Sequence, residues 1–91
     1  MQNLKETLHQ FTKYIQVERN FSLHTVREYE SDLHQFIAFL EAEGVKDFKD
    51  VEYVHARLFV TQLYNDKMAR ASISRKISSI RSFFRYLNRE F

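Results

Sequence analysis

Apolar residues recur along this 91-residue chain at three- and four-residue steps, the period that lines one face of an α-helix. Four such stripes are legible. The first covers residues 3–19, with Leu4, Leu8, Phe11 and Ile15 on one side. Asn3 suits the N-cap, and Glu6 three positions later completes a capping-box pattern. The second covers residues 22–43, capped by Ser22 and closed by Gly44 in the left-handed position after the helix. Its stripe is Val26, Tyr29, Leu33, Phe36, Ile37 and Leu40. A helix of that size spans about 30 Å, the width of a small domain, and is expected to form the spine of the fold.

Residues 45–49 read as a loop, with Phe48 plugging the core. Asp50 then caps a third helix over residues 51–64, buried through Val51, Val54, Leu58 and Leu63. A polar link over residues 65–71 leads to a fourth helix over residues 72–89. It buries Ile73, Ile77, Ile80, Phe84 and Leu87. One glycine and no proline leave little with which to build the turns of a sheet. The expected fold is therefore all-α, a compact four-helix bundle in one domain spanning residues 1–91. Phe91 follows a strong helix directly and reads as a cut before a further domain.

Charge changes this picture more than composition does. Residues 67–89 hold Lys67, Arg70, Arg75, Lys76, Arg81, Arg85 and Arg89, and no acid. The rest of the chain sets seven bases against all twelve acids and sums to −5, so the net +2 conceals a dipolar molecule. Ser72, Ser74, Ser78, Ser79 and Ser82 lie among these cations, short hydroxyls that let a helix come close to a polyanion. Charge segregated in this way points to phosphate, and double-stranded DNA is the leading partner.

At 100° per residue, Ser72, Arg75, Lys76 and Ser79 run along one flank of the fourth helix, and Arg81, Arg85 and Arg89 along the other. One line could face nucleic acid while the other pairs with acids such as Asp32 or faces water; periodicity does not choose. A plain solvated cationic face, or one that meets an acidic protein partner, is the competing reading. A second anion-friendly point is the start of the second helix. There His24, Thr25 and Arg27 stand beside free backbone N–H groups and the positive end of the helix dipole. Simple capping by Ser22 accounts for that segment without a ligand.

Enzyme signatures are missing. Gly44 is the only glycine, so no phosphate-binding glycine loop exists, and cysteine is absent. His9, His24, His34 and His55 are scattered; Glu30 and His34 share a face at i, i+4, but two ligands are more often a solvated pair than a metal site. A small metalloenzyme is thus the weakest class, and no cofactor is expected. No apolar run is long enough to cross a bilayer, and the N-terminus lacks a signal-peptide core. A cytoplasmic protein with no membrane partner is the expectation.

Two segments together carry a family resemblance. The first is Ser22, Thr25, Tyr29, Asp32-Leu33, Phe36 and Leu40; the second is the run from Ser72 through Arg75, Ile80-Arg81 and Phe83 to Tyr86-Leu87. With Phe11, Tyr14 and Ile15, they resemble the N-terminal core-binding domain of the tyrosine recombinases, the phage-integrase family, most closely the bacterial Xer type. The resemblance spans nearly the whole chain. It implies a SAM-like four-helix domain that lays its second and fourth helices against the major groove, while a C-terminal catalytic domain closes a clamp from the other side.

Carried over by position, the resemblance implies DNA contacts from Thr25 and Arg27, with His24 and Glu28 as neighbours, and from Ser72, Arg75, Lys76 and Ser79. It leaves Arg81 as a structural partner for Asp32, and Arg85 and Arg89 as peripheral charge. The family's nucleophilic tyrosine, with its arginine, lysine and histidine, is not matched here, so Tyr86 is no nucleophile and the chain is expected to bind DNA and cut nothing. The parent would cleave and rejoin strands without metal or nucleotide cofactor, its subunits forming a tetrameric synaptic complex. A phage or transposon integrase fits the same motifs, and a helical protein-interaction module with a cationic face remains the alternative of a different class.

Overall fold

Four helices and one 3₁₀ turn account for the fold: α1 (Leu4–Val17), α2 (Leu23–Ala42), the turn Phe48–Asp50, α3 (Tyr53–Asn65) and α4 (Arg70–Glu90). The computed structural model describes residues 3–90. Phe91, read above as a boundary, lies outside the described residues. Among those described there is no strand, and the chain fills 35 × 30 × 17 Å.

Local chemistry sets most of the helix ends. Asn3 Oδ1 accepts from the Glu6 N–H at 2.8 Å, while the Glu6 carboxylate takes the Asn3 side-chain amide at 3.2 Å. Ser22 Oγ accepts from the Thr25 N–H at 3.2 Å and opens α2. At the far end Gly44 adopts φ +85°, the Val45 N–H returns to the Leu40 carbonyl, and Val45 is buried. That is the hydrogen-bond pattern of a Schellman ending. Lys67 takes the same left-handed role after α3, with φ +58° and the Met68 N–H on the Leu63 carbonyl.

The expected start of α3 is corrected. Asp50 does not cap it; Asp50 closes the 3₁₀ turn, whose own cap is Asp47 Oδ1 accepting from the Lys49 N–H at 3.1 Å. The turn sets the Phe48 ring edge-on to Phe83 with centroids 4.8 Å apart, and Val51 and Glu52 then run extended. His55 Nδ1 accepts from the Glu52 N–H at 2.9 Å, so the helix begins at Tyr53. Its buried stripe is accordingly Phe59 and Leu63, flanked by half-buried Ala56 and Val60. Val54 and Leu58, expected inside, are each about half exposed.

The core forms where α2 meets the other three helices. Leu33, Phe36, Ile37 and Leu40 of α2 are sealed from water, as are Leu8, Phe11 and Ile15 of α1 and Ile73 and Phe83 of α4. Aromatic rings tie the layers together: Phe11 meets Phe83 at 5.1 Å and Tyr86 at 5.4 Å, and Phe36 meets Phe59 at 5.3 Å. Phe83 thus takes the central place expected for Phe84, which lies half-buried toward α3 with Ile77.

Candidate nucleic-acid interface

The polar seam between α2 and α4 is the most organised polar feature of the molecule. On α2, His24, Glu28 and Asp32 succeed one another at i, i+4 steps and so share a face. On α4, Arg75, Lys76 and Ser79 fall within one turn and point back at them. Asp32 is wholly buried and accepts four hydrogen bonds. Arg75 gives two, Nε to Oδ2 at 3.0 Å and Nη2 to Oδ1 at 2.9 Å. Lys76 Nζ gives one to Oδ1, and the Ser79 hydroxyl one to Oδ2, each at 2.9 Å. Ser79 also lies 3.1 Å from the Arg75 carbonyl, so its single hydrogen is shared.

The network continues outward. Arg75 Nη1 donates to Glu28 Oε2 at 2.9 Å, and Glu28 Oε1 lies 2.8 Å from His24 Nε2. Burial pushes the Asp32 carboxyl up, but the hydrogen bonds from Arg75, Lys76 and Ser79 and the Lys76 charge outweigh it and hold the group below the usual carboxylate range. The Asp32 hydrogen bond raises Arg75 above its ordinary value against its own desolvation, so both partners stay charged. Among the described residues no buried side-chain polar atom lacks a partner.

This geometry redistributes the roles expected from sequence. Asp32 is structural, but its partner is not Arg81. Arg81 sits about 200° round α4 from Ser79, on the opposite side of the helix, exposed and without a side-chain hydrogen bond or ion pair among the described residues. Lys76 and Ser79, expected at the DNA, are buried against Asp32 instead. The Arg75 flank thus faces α2, Arg81 lies on the other side of the helix, and Arg89 turns to Tyr14 of α1. Hydrophobic patterning could not show this, because a buried lysine and a surface lysine look the same in one dimension.

The six remaining expected residues lie on the first turns of α2 and α4. Arg75 and Glu28 are partly exposed and bonded to each other, and His24 is open to solvent. Thr25 is half-buried, its hydroxyl accepting from Ser22 Oγ at 2.9 Å. Arg27 is exposed and Ser72 half-buried, and neither makes a side-chain hydrogen bond or ion pair among the described residues.

Other candidate chemistry is not assembled. Tyr86 is buried, and burial, followed by the Glu90 and Glu18 charges, pushes its phenol upward, the wrong direction for a nucleophile. Arg89, expected to be peripheral charge, bonds the Tyr14 hydroxyl at 2.8 Å and lies over its ring, fastening the end of α4 to α1. Glu30 and His34 are both exposed, and no group of three metal-ligating side chains gathers among the described residues. None of the described helices is long and apolar enough to cross a membrane.

The class defined by this architecture is a four-helix, SAM-like domain. The chain belongs to the phage integrase N-terminal SAM-like domain family, whose model matches residues 8–91. Among curated relatives it is 42% identical over 90 residues to a tyrosine recombinase XerC of Anoxybacillus flavithermus and 37% identical over the same length to that of Bacillus subtilis. These alignments cover 99% of this chain and 30% of each relative. A tyrosine recombinase XerC of Lacticaseibacillus casei is 49% identical over 80 residues, 87% of this chain and 27% of the relative. The chain thus spans under a third of the length of the relatives it matches. No solved structure matches it.

Proposed function

We propose that this chain is the DNA-binding domain of a site-specific tyrosine recombinase, gripping double-stranded DNA through α2 and α4. The observation that carries this reading is the α2–α4 seam. It holds Arg75 by one edge on buried Asp32 and leaves the side chain partly exposed, with one N–H uncommitted on each terminal nitrogen, beside the first turns of α2. A guanidinium fixed in this way suits phosphate oxygens or the O6/N7 edge of guanine. His24, Thr25, Arg27 and Ser72 complete the contact surface, the hydroxyls and Arg27 on phosphates to set register. Lys76 and Ser79 act one layer behind, holding Asp32 and through it Arg75.

On this reading the strand cleavage and rejoining belong to a C-terminal domain of the parent, through a phosphotyrosyl intermediate, with no metal or nucleotide cofactor. Other recombinase subunits in a tetrameric complex are the expected protein partners, and the cytoplasm, with its DNA, is the expected place. An Xer-type parent is favoured by the identity to proteins of that name; a phage or transposon integrase is the alternative. A protein-contact role is favoured by one separate observation. Tyr53, Val54, Leu58 and Tyr64 of α3 are all large, apolar in body and about half exposed or more.

The test is an NMR titration of the ¹⁵N-labelled chain with a short duplex at two salt concentrations. Half of a clamp should bind weakly, near the non-specific range of about 10⁻⁴–10⁻⁶ M. Shifts at residues 24–28 and 72–75 that fade at high salt are the expected result. Shifts confined to α3, or none at low salt, would sink the reading.

A further inference from the structure

Arg75 reaches the surface with most of its donors already committed. A guanidinium has five N–H groups. Nε and Nη2 each give one to Asp32, and Nη1 gives one to Glu28, so a single N–H is left on each terminal nitrogen. The Asp32 side of this arrangement is closed to solvent. The Glu28 side is open: the Glu28 side chain is 32% exposed, Arg75 40% and His24 83%.

Charge follows the same division. Glu28 and Asp32 together cancel Arg75 and Lys76, and His24 adds charge only when protonated. An anion approaching the seam therefore meets a compensated guanidinium with a carboxylate 2.9 Å from one of its nitrogens. A phosphate on the two remaining N–H groups would sit against Glu28 at near-contact distance, where like charges repel most. The alternative is to take the Glu28 place. Glu28 then keeps a second partner, since its other oxygen already lies 2.8 Å from His24 Nε2. Arg75 stays put throughout, because Asp32 holds its other edge.

Resting on the DNA reading above, we propose that Glu28 is an internal competitor for Arg75: it occupies the position of a nucleic-acid oxygen, and a duplex gains Arg75 only by displacing it. Glu28 is thereby a specificity-determining residue. Backbone-only encounters must break the Glu28 contact for one phosphate contact in return, with little net gain. A site that offers Glu28 a donor of its own, such as the cytosine N4 amine, restores what is lost. The competing pair is a partly exposed one, so its effect should be several-fold rather than orders of magnitude.

The test is fluorescence anisotropy of the 91-residue chain on a labelled short random-sequence duplex across a salt series. Glu28→Gln keeps the shape of the side chain, and Glu28→Ala removes it. Glu30→Gln is the charge-matched control, an exposed carboxylate two residues on. Glu28→Gln and Glu28→Ala should bind about two- to fivefold more tightly at low salt. Their slopes of log K against log[salt] should steepen by about 0.9, one further counterion. Glu30→Gln should gain less than about twofold, the effect of unpaired surface charge.

In the wild type, the Glu28 side-chain carboxyl ¹³C signal should move as duplex is added, a readout that needs no variant. Equal gains for Glu28→Gln and Glu30→Gln, a loss of affinity in either Glu28 variant, or a stationary Glu28 signal while duplex binds would each overturn the competitor and leave the DNA reading standing. Failure of wild type and variants alike to bind duplex at low salt would overturn both.

Discussion

Lys76 Nζ lies 2.9 Å from Asp32 Oδ1, and both side chains are shut away from water. Two charges in a 91-residue domain are costly to bury, several kcal/mol per ion even after relaxation. The cost is offset here because the carboxylate is fully coordinated: two bonds from Arg75, one from Lys76 and one from Ser79. Such a cluster contributes little net stability over a well-packed apolar one. Its value is positional, since only one register of α4 on α2 satisfies all four bonds, and that register sets where Arg75 emerges.

Asp32→Ala should therefore cost about 3–5 kcal/mol, because it strands the Lys76 ammonium without a partner. That is a large share of the roughly 5–15 kcal/mol typical of a domain. Urea unfolding at neutral pH measures it. The double variant Asp32→Leu with Lys76→Met should recover most of the loss, since it removes both charges together. A double variant no better than Asp32→Ala would mean that the seam stabilises through Arg75 and Ser79 instead.

The pH dependence follows from the lowered Asp32 carboxyl. A carboxylate whose folded pKa lies below its unfolded one contributes stability that is fully present above the unfolded value, about 3.9. That contribution is lost as pH falls through the folded value. Wild type and Asp32→Asn should thus differ by a constant amount at neutral pH and converge below about pH 4. Parallel urea titrations of the two proteins check this. A gap that stays undiminished in strong acid would show that Asp32 is not the titrating group.

Helix ends and core faces were legible wherever the determinant is local. Ser22 and Gly44 bracket α2 because a hydroxyl cap and a left-handed glycine act over three or four residues, and the stripe from Leu33 to Leu40 needs only helical periodicity. The start of α3 was not legible. Asp50 suits a helix cap and a 3₁₀ turn equally, and what separates them is Phe48 reaching Phe83, thirty-five residues away. The candidate site divided in the same way. The fourth-helix motif identified the family, and Arg75 and Glu28 were singled out. The burial of Lys76 and Ser79 was missed, because it depends on Asp32 of another helix rather than on their neighbours.

The α3 register is itself testable. Phe59 is 5% exposed and packs its ring at a tilt against those of Phe36 and Phe39, whereas its neighbour Leu58 is 47% exposed. Phe59→Ala should cost about 3–5 kcal/mol, and Leu58→Ala should stay within about 0.5 kcal/mol of wild type. Thermal or urea unfolding of the two variants separates them. Comparable losses would return Leu58 to the core and shift the helix by a residue.

Two helices of this domain end on one hydrogen-bond pattern with different residues in the left-handed position. Gly44 takes φ +85° after α2, with nothing within 4 Å of where a Cβ would stand, while Lys67 takes φ +58° after α3. For a residue with a side chain the left-handed region costs about 1–2 kcal/mol, whereas glycine enters it freely. Gly44→Ala should therefore destabilise by about 1 kcal/mol through backbone strain alone, since no contact is created or lost. Lys67→Gly should act in the opposite direction. Relief of strain outweighs the added freedom of the unfolded chain, about 0.4–1 kcal/mol, leaving a gain of about 0.5 kcal/mol. Both are read from urea midpoints at constant m-value, which excludes a change in the compactness of the unfolded ensemble. The opposite signs are the diagnostic: if both variants lose stability, the link between α3 and α4 is not held at Lys67 in the left-handed turn.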